Sequence, residues 1–394
     1  MSNTVYIAGV GMIPFVKPGA NEPYDRMAAT ATRRALADAG IDYHLIQQAY
    51  VGYVYGDSTA GQKALYQIGM TGAPIINVNN NCATGATALF LARQAVQSGA
   101  VECALALGFE QMAPGAINVV FPDRPTPLDD FLGVADAAYG PSDAPMAIRL
   151  FGGAGLEYQE RYGAASATFA QVAVKARRHA QHNEAAIFRA PVSLEEVLAA
   201  PVIYGNITRL QCCPPTCGAA AAVVCSESFA RKHGISTQVA IAAQSLTTDM
   251  PSTFAEHSMI KVVGYDMSRA AAQQVYAQAG IGPDEVDVAE LHDCFTTNEV
   301  LSYEALGLTP EGTAEQFIAD GDNTYGGRVV TNPSGGLLAK GHPLGATGLA
   351  QCTELVRQLR GQAGAGQVKD ARIALQHNIG LGGACVVTLY RRER

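Results

Sequence analysis

The chain has 394 residues, 48% of them hydrophobic, with 41 glycines and a formal net charge of −8. That length leaves room for two or three domains and a large core, and the composition fits a packed α/β protein rather than a disordered one. The acidic balance argues against a general nucleic-acid or anionic-membrane binder, so an anionic substrate requires a local basic patch.

Val5–Val10 opens the chain as a strand, without the basic start and apolar stretch of a signal peptide. Met27 to Val51 predicts an amphipathic helix, a Gly40-Ile41 turn and a strand. A polar run, Asn77 to Asn81, then leads into Cys82 and a helix whose apolar part, Ala83 to Val96, is too short to span a bilayer. Cys103–Gly108 predicts the next strand. From about residue 113 to 206 the pattern breaks. This stretch begins rich in Gly, Pro and Asp and later predicts a helix from Thr168 to His182. Long insertions of this kind are commonly lids or binding loops. Its basic cluster, Lys175, Arg177, Arg178 and His179, reads either as a solvated helix face or as a phosphate contact.

The first pattern then repeats. Val239–Ala243 predicts a strand, and Met267 to Leu291 matches Met27 to Val51 without a gap, Gly280 on Gly40, Ile281 on Ile41 and Ala289 on Ala49. A final apolar run, Ala371–Leu375, echoes Cys103–Gly108. Strands alternating with helices predict parallel sheets between helix layers. The division is residues 1–112 with 207–235 as one half, 113–206 as an insertion, and 236–394 as the other half.

The repeat places Cys82-Ala-Thr-Gly-Ala-Thr opposite His342-Pro-Leu-Gly-Ala-Thr. A thiol and an imidazole at equivalent positions suggest a nucleophile and its base meeting across a pseudo-twofold axis. At a helix start, a thiolate at Cys82 is favoured by free N–H groups and the helix dipole, which lowers the thiol pKa. His342, with Pro343 at a helix start, can take the thiol proton. Taken singly, each also reads as structural: a buried cysteine, and a histidine in a Gly-rich turn. His292-Asp293-Cys294-Phe295 ends the strand after Val286. His292 and Cys294, two apart, can face one side, while Asp293 points elsewhere and holds backbone; the pair also reads as a core cysteine beside a satisfied histidine. Gln376 to Ala384 is a glycine-rich turn whose N–H groups can approach a ligand. The nine cysteines include no Cys-x-x-Cys pair, and the cluster Cys212, Cys213, Cys217 and Cys225 lacks zinc-finger spacing. Reduced, mostly buried thiols and a cytoplasmic setting are expected, since Arg391 to Arg394 is no peroxisomal address.

The segments "NVNNNCATG" at 77–85, "LHDCFTTN" at 291–298, "GDNTYGG" at 321–327, "NPSGGLLAKGHPLGATG" at 332–348 and "ALQHNIGLGG" at 374–383 resemble the thiolase superfamily, most closely the sterol-carrier-protein-X type of thiolase. The resemblance covers essentially the whole chain. It implies a five-layered α-β-α-β-α fold of two similar halves, a loop domain covering the substrate, and a homodimer or homotetramer. The sterol-carrier domain that the resemblance would link to this chain is expected to be absent, since the sequence stops at Arg394 right after the last strand.

The resemblance further implies that Cys82 is the acyl-accepting nucleophile and that His342 activates it. Typical thiolases carry a second cysteine in a late Cys-x-Gly turn; here that turn reads Asn378-Ile379-Gly380. The sterol-carrier type places the proton-shuttling thiol at Cys294, with His292 helping to bind the thioester oxygen. The backbone N–H groups of Cys82 and Gly380 form a second oxyanion hole. The substrates implied are a 3-oxoacyl-CoA and coenzyme A, handled by ping-pong acyl transfer without a metal or a permanent cofactor, and Lys175, Arg177 and Arg178 are the expected CoA contacts. Rival readings are a biosynthetic Claisen enzyme, a partner-dependent aldolase or acyltransferase of the same fold, and a non-catalytic lipid-transfer protein.

Overall fold

The computed structural model describes residues 4–114 and 119–393; Arg394 lies outside them. The first half contains β1 (Val5–Met12), α1 (Tyr24–Ala39), β2 (Gln48–Gly52), α2 (Ala60–Leu65), β3 (Ile75–Val78), α3 (Thr84–Gln97) and β4 (Cys103–Glu110). An insertion follows with α4 (Asp129–Tyr139), α5 (Met146–Tyr162), α6 (Ser166–Ala180), α7 (Leu194–Ala199) and the small hairpin β5 (Val202–Tyr204) and β6 (Ile207–Thr208). The chain returns to the first half as β7 (Gly218–Ser226) and α8 (Glu227–His233). The second half runs β8 (Val239–Thr247), α9 (Ser252–Ala255), α10 (Met259–Val262), α11 (Tyr265–Ala279), β9 (Val288–Glu290), α12 (Thr296–Ala305) and α13 (Ala314–Ala319). It ends with β10 (Val330–Thr331), α14 (Gly336–Lys340), α15 (Thr347–Leu359), β11 (Ile373–Gly380) and β12 (Ala384–Arg392).

The strand order is β10-β9-β11-β12-β8-β1-β7-β4-β2-β3. Each half contributes five strands in the same relative order, so the repeat in sequence is a repeat in topology. Among the described residues the strands of the two halves pair at β1 and β8, Val5 with Ile241 and Tyr6 with Ala240.

The sheets are mixed, a correction to the parallel sheets expected. Within each half two pairings are parallel, as between β2 and β4, but β7 runs antiparallel to both β1 and β4. In the second half β12 does the same to β8 and β11. In the second half the cause is local: β11 and β12 are joined by Leu381-Gly382-Gly383, whose glycines have φ of 92° and 96°. A turn that tight needs no crossover helix, and only antiparallel neighbours can use it. In the first half the insertion lies between β4 and β7 instead.

Helix packing builds the layers. α1 buries Met27, Ala28, Ala31, Ala35 and Leu36, one face at helical spacing, and stops where Gly40 takes a left-handed φ of 68°. That face covers Ala8, Ala49 and Leu105 of the first sheet. α11 covers Ala243, Leu375 and Leu389 of the second sheet from the opposite outside. Between the sheets lie α3 and α15, with Leu89 and Val96 packed among Leu349, Leu355 and Val356 and strand residues of both halves. Burial of each such side chain is worth about 1.5–3 kcal/mol. The result is five layers, helix-sheet-helix-sheet-helix.

The two central helices meet at the echoed motif. A Cβ on Gly85 would lie 2.7 Å from the Gly345 carbonyl, and one on Gly348 would lie 2.2 Å from the Ala86 nitrogen. Only hydrogens let these backbones approach so closely. The crossing therefore places the start of α3 against the turn that precedes α15.

Candidate active site

Cys82 and His342 precede these two central helices, which is why the fold brings them together. Asn81, immediately before Cys82, has φ of 49°, an uncommon conformation that Asn tolerates better than most residues. Its amide donates to the Leu381 carbonyl at 3.1 Å, and its backbone N–H donates to Asn79 Oδ1 at 3.0 Å. The polar run thus builds a fixed turn rather than a side-chain cap. His342 lies four residues farther from its helix than expected. α15 starts at Thr347, and Pro343 to Ala346 form a turn closed by Ala346 N–H to Pro343 O at 2.9 Å.

Ligand atoms of Cys82, His292 and His342 all lie within 4.8 Å of one another, and all three residues are buried. The two imidazoles are edge to face, with centroids 5.0 Å apart. Cys294, two residues after His292, is buried; burial raises its thiol pKa well above the ordinary value, with charge on Cys213 and Cys82 adding to the shift.

Hydrogen bonds assign the two imidazoles different protonation patterns. Thr347 Oγ1 donates to the Pro343 carbonyl at 3.0 Å, so it accepts at 2.7 Å from Nδ1–H of His342. His342 Nε2 is then a bare lone pair, buried and without a partner among the described residues. For His292, Asn378 Nδ2 donates to Nδ1 at 2.9 Å, so the ring proton sits on Nε2. One imidazole is ready to accept a proton and the other to donate a hydrogen bond. The Thr347 arrangement has a counterpart in the first half: Thr87 Oγ1 donates to the Ala83 carbonyl at 3.0 Å and accepts from Asn80 at 3.1 Å.

The resting pair is neutral. Burial, with the charge of Glu110 adding, pushes the Cys82 thiol up to about 12. This corrects the expectation of a lowered thiol pKa, because loss of solvation outweighs the helix terminus. Burial pulls His342 down to about 3. Burial also holds His292 well below its ordinary value, with positive charge on His342 and His377 as the lesser cause.

One supporting residue, Glu110, carried no local signal in the sequence. Glu110, at the end of β4, is fully buried and accepts backbone N–H groups from Val54 at 3.1 Å, Tyr55 at 2.9 Å and Gly345 at 3.0 Å. It ties the turn after His342 to the first half. The segment 212–216 straps across the site: Cys213 N–H donates to the Cys294 carbonyl at 2.9 Å, and Pro215 pairs with His342. Asp293 holds backbone, accepting from Leu337 N–H at 2.7 Å and Leu338 N–H at 3.3 Å at the start of α14. Gly380 packs against the Cys82 turn, where a Cβ would lie 2.2 Å from the Asn80 carbonyl.

The basic cluster on α6 does not form one face. Lys175 is buried and ion-paired with Glu299, with Tyr303 Oη at 3.1 Å. An ammonium committed to that network cannot also serve a solvent-side phosphate, so Lys175 is corrected from a CoA contact to a tie between α6 and α12. His179 is buried against the Asn332 carbonyl at 3.0 Å. Arg177 is half-buried over the Phe188 ring, 4.3 Å from its centroid. Arg178 is exposed, within 3.0 Å of Thr324 Oγ1.

Residues 5–228 match the family model for the thiolase N-terminal domain, and residues 249–390 match the thiolase C-terminal domain-like model. The chain is 54% identical to "Sterol carrier protein 2" of Rattus norvegicus over 391 residues, covering 98% of this chain and 72% of that protein. Its fold is similar to the structure of an "Ltp2-ChsH2(DUF35) aldolase", with a TM-score of 0.83 and 25% identity over 100% of this chain and 99% of that one. It is also similar to human mitochondrial 3-ketoacyl-CoA thiolase in complex with CoA, with a TM-score of 0.75 over 100% of this chain and 98% of that one; at 17% identity this shows the fold alone.

Proposed function

Because this chain belongs to the thiolase family, we propose that it is a CoA-dependent C-acyltransferase that cleaves a 3-oxoacyl-CoA with CoA, through an acyl group carried on Cys82. The observation that carries this reading is the triangle of Cys82, His292 and His342 within 4.8 Å, with the imidazoles held in complementary proton states.

His342 Nε2 takes the Cys82 proton as sulfur attacks the 3-keto carbon. Both groups begin neutral, so charge develops only as the bond forms. Cleavage of the C2–C3 bond leaves a thioester enolate, whose oxygen is met by the Nε2–H of His292 and by the proton now on His342. Cys294 protonates the enolate carbon. The acyl group stays on Cys82, its carbonyl oxygen facing the backbone N–H groups of Cys82 and Gly380. CoA then passes its thiol proton to the Cys294 thiolate, takes the acyl group and releases the Cys82 thiolate, which His342 reprotonates.

Residues 113–206 serve as the substrate cover; Phe151 of α5 packs on Phe295, beside Cys294, with centroids 5.1 Å apart. Exposed Arg178 and half-buried Arg177 remain the phosphate contacts. The assembly is a homodimer or homotetramer, to be checked by light scattering. Among the described residues, no helix is long and apolar enough to cross a membrane.

The test is a thiolysis screen with free CoA and short, long, 2-methyl-branched and steroid-linked 3-oxoacyl-CoAs. Cys82→Ala is expected to abolish turnover and acyl-enzyme formation by mass spectrometry. Cys294→Ala is expected to acylate but stall in proton transfer. Normal turnover by both variants would sink the mechanism. A second reading, a retro-aldol cleavage that needs a small partner subunit, is favoured by the likeness to the aldolase structure. It predicts C–C cleavage without CoA consumption, unchanged by Cys82→Ala.

A further inference from the structure

We infer that Cys82, His292 and His342 also constitute a binding site for a zinc-class divalent cation, which would hold the thiol and block the site reversibly. The three side chains offer one sulfur and two imidazole nitrogens within 4.8 Å of one another. Thiolate and imidazole donors suit zinc, and three protein ligands leave a fourth position for water or a substrate oxygen. Independently, His342 Nε2 is buried with no partner among the described residues, and its Nδ1 is held by Thr347 at 2.7 Å. That is the arrangement in which a ligating imidazole is oriented through its other nitrogen.

His292 needs one adjustment. Its Nδ1 now accepts from Asn378 at 2.9 Å, so Nε2 carries the proton. Asn378 Oδ1 is itself buried without a partner. Turning the amide over presents that oxygen to Nδ1–H and frees Nε2 for the cation. Binding breaks the S–H bond of Cys82, forms a metal–sulfur bond and releases one proton to solvent.

That the cation blocks turnover rests on the proposed function; that it binds does not, so binding is read directly. Cobalt(II) is added to the full chain and the thiolate-to-cobalt charge-transfer band is followed, then zinc(II) is used to displace it. Alkylation of Cys82 by iodoacetamide is measured by mass spectrometry with and without zinc. One equivalent is expected to bind, with one proton released, the band lost in Cys82→Ser, and affinity weakened at least tenfold in His342→Gln. Zinc is expected to protect Cys82 from alkylation, a chelator to restore it, and magnesium to have no effect. Cys213→Ser is expected to retain binding, and circular dichroism confirms that each variant is folded. Survival of the band in Cys82→Ser, its loss only in Cys213→Ser, or unprotected alkylation with zinc bound would each overturn the site. Intact binding with no thiolysis by the wild type would instead count against the proposed function alone.

Discussion

At the scale of single residues, the site works by assigning protons. Thr347 has one hydroxyl proton, and donating it to Pro343 leaves it only able to accept from His342. Thr347→Val removes that acceptor and lets the ring proton move to the face that must receive the thiol proton. We expect kcat to fall about 10–100-fold, or about 1.4–2.7 kcal/mol, with KM little changed and folding intact. Steady-state kinetics with Thr347→Ser as a rescuing variant checks this. The neutral resting thiol makes a second prediction. With Cys82 at about 12, its alkylation rate is expected to keep rising with pH through 9, whereas a helix-activated thiolate would level off near neutrality. This residue-level design was half legible in the chain. The echo aligns Thr87 with Thr347 as well as Cys82 with His342, but nothing local says which nitrogen of an imidazole is protonated.

At the scale of elements, the site depends on how closely α3 and α15 approach. Gly348→Ala places a methyl carbon 2.2 Å from the Ala86 nitrogen and 2.7 Å from its Cβ. Both are parts of a helix that cannot yield without moving. Overpacking of this kind costs about 1–3 kcal/mol, so denaturant unfolding should show a lowered midpoint and an unchanged slope. Cys82 and His342 would also separate. Glu110 acts on the same junction. Glu110→Gln keeps the shape but turns one of two acceptor oxygens into a donor, which leaves at least one of the Val54, Tyr55 or Gly345 N–H groups facing another donor. The expected loss is about 1–3 kcal/mol for an orphaned buried group, with a fall in kcat greater than the change in KM. Glu110 was not legible because a glutamate ending a strand ordinarily meets water. Only the far-off Gly345 turn and the 54–55 loop enclose it.

Across the whole molecule, buried titratable groups set the acid response. His179, His342 and His377 lie at about 3, and His292 lies well below its ordinary value. Each titrates near 6.5 once unfolded, so below that pH the unfolded chain binds more protons and stability falls as pH falls. Glu110 acts in the opposite sense. Burial raises it to about 7, and its carboxyl retains a proton in the fold where the unfolded chain has released it, so its contribution is lost as pH rises from about 4.5. Glu290 and Asp293 are raised in the same direction. The two sets oppose each other between about pH 4.5 and 6.5 and stop doing so below that range. Urea midpoints are therefore expected to vary little between about pH 4.5 and 6.5 and to drop steeply below that range. A steady decline beginning at pH 6.5 would refute the balance.

The sequence by itself determined the family, the two similar halves with their insertion, and the identities of the thiol and imidazoles that meet. Helical and strand periodicity are local properties, and an internal repeat records its own symmetry. The tertiary structure decided the rest. It decided that the sheets are mixed, the last strand being reversed by a three-residue glycine turn and β7 by its return from the insertion. It decided that Lys175 faces inward to Glu299 rather than outward to an anion. It also decided that Cys82 rests as a thiol. Each of these depends on which remote backbone closes over a group, and desolvation is set by that enclosure rather than by neighbours along the chain.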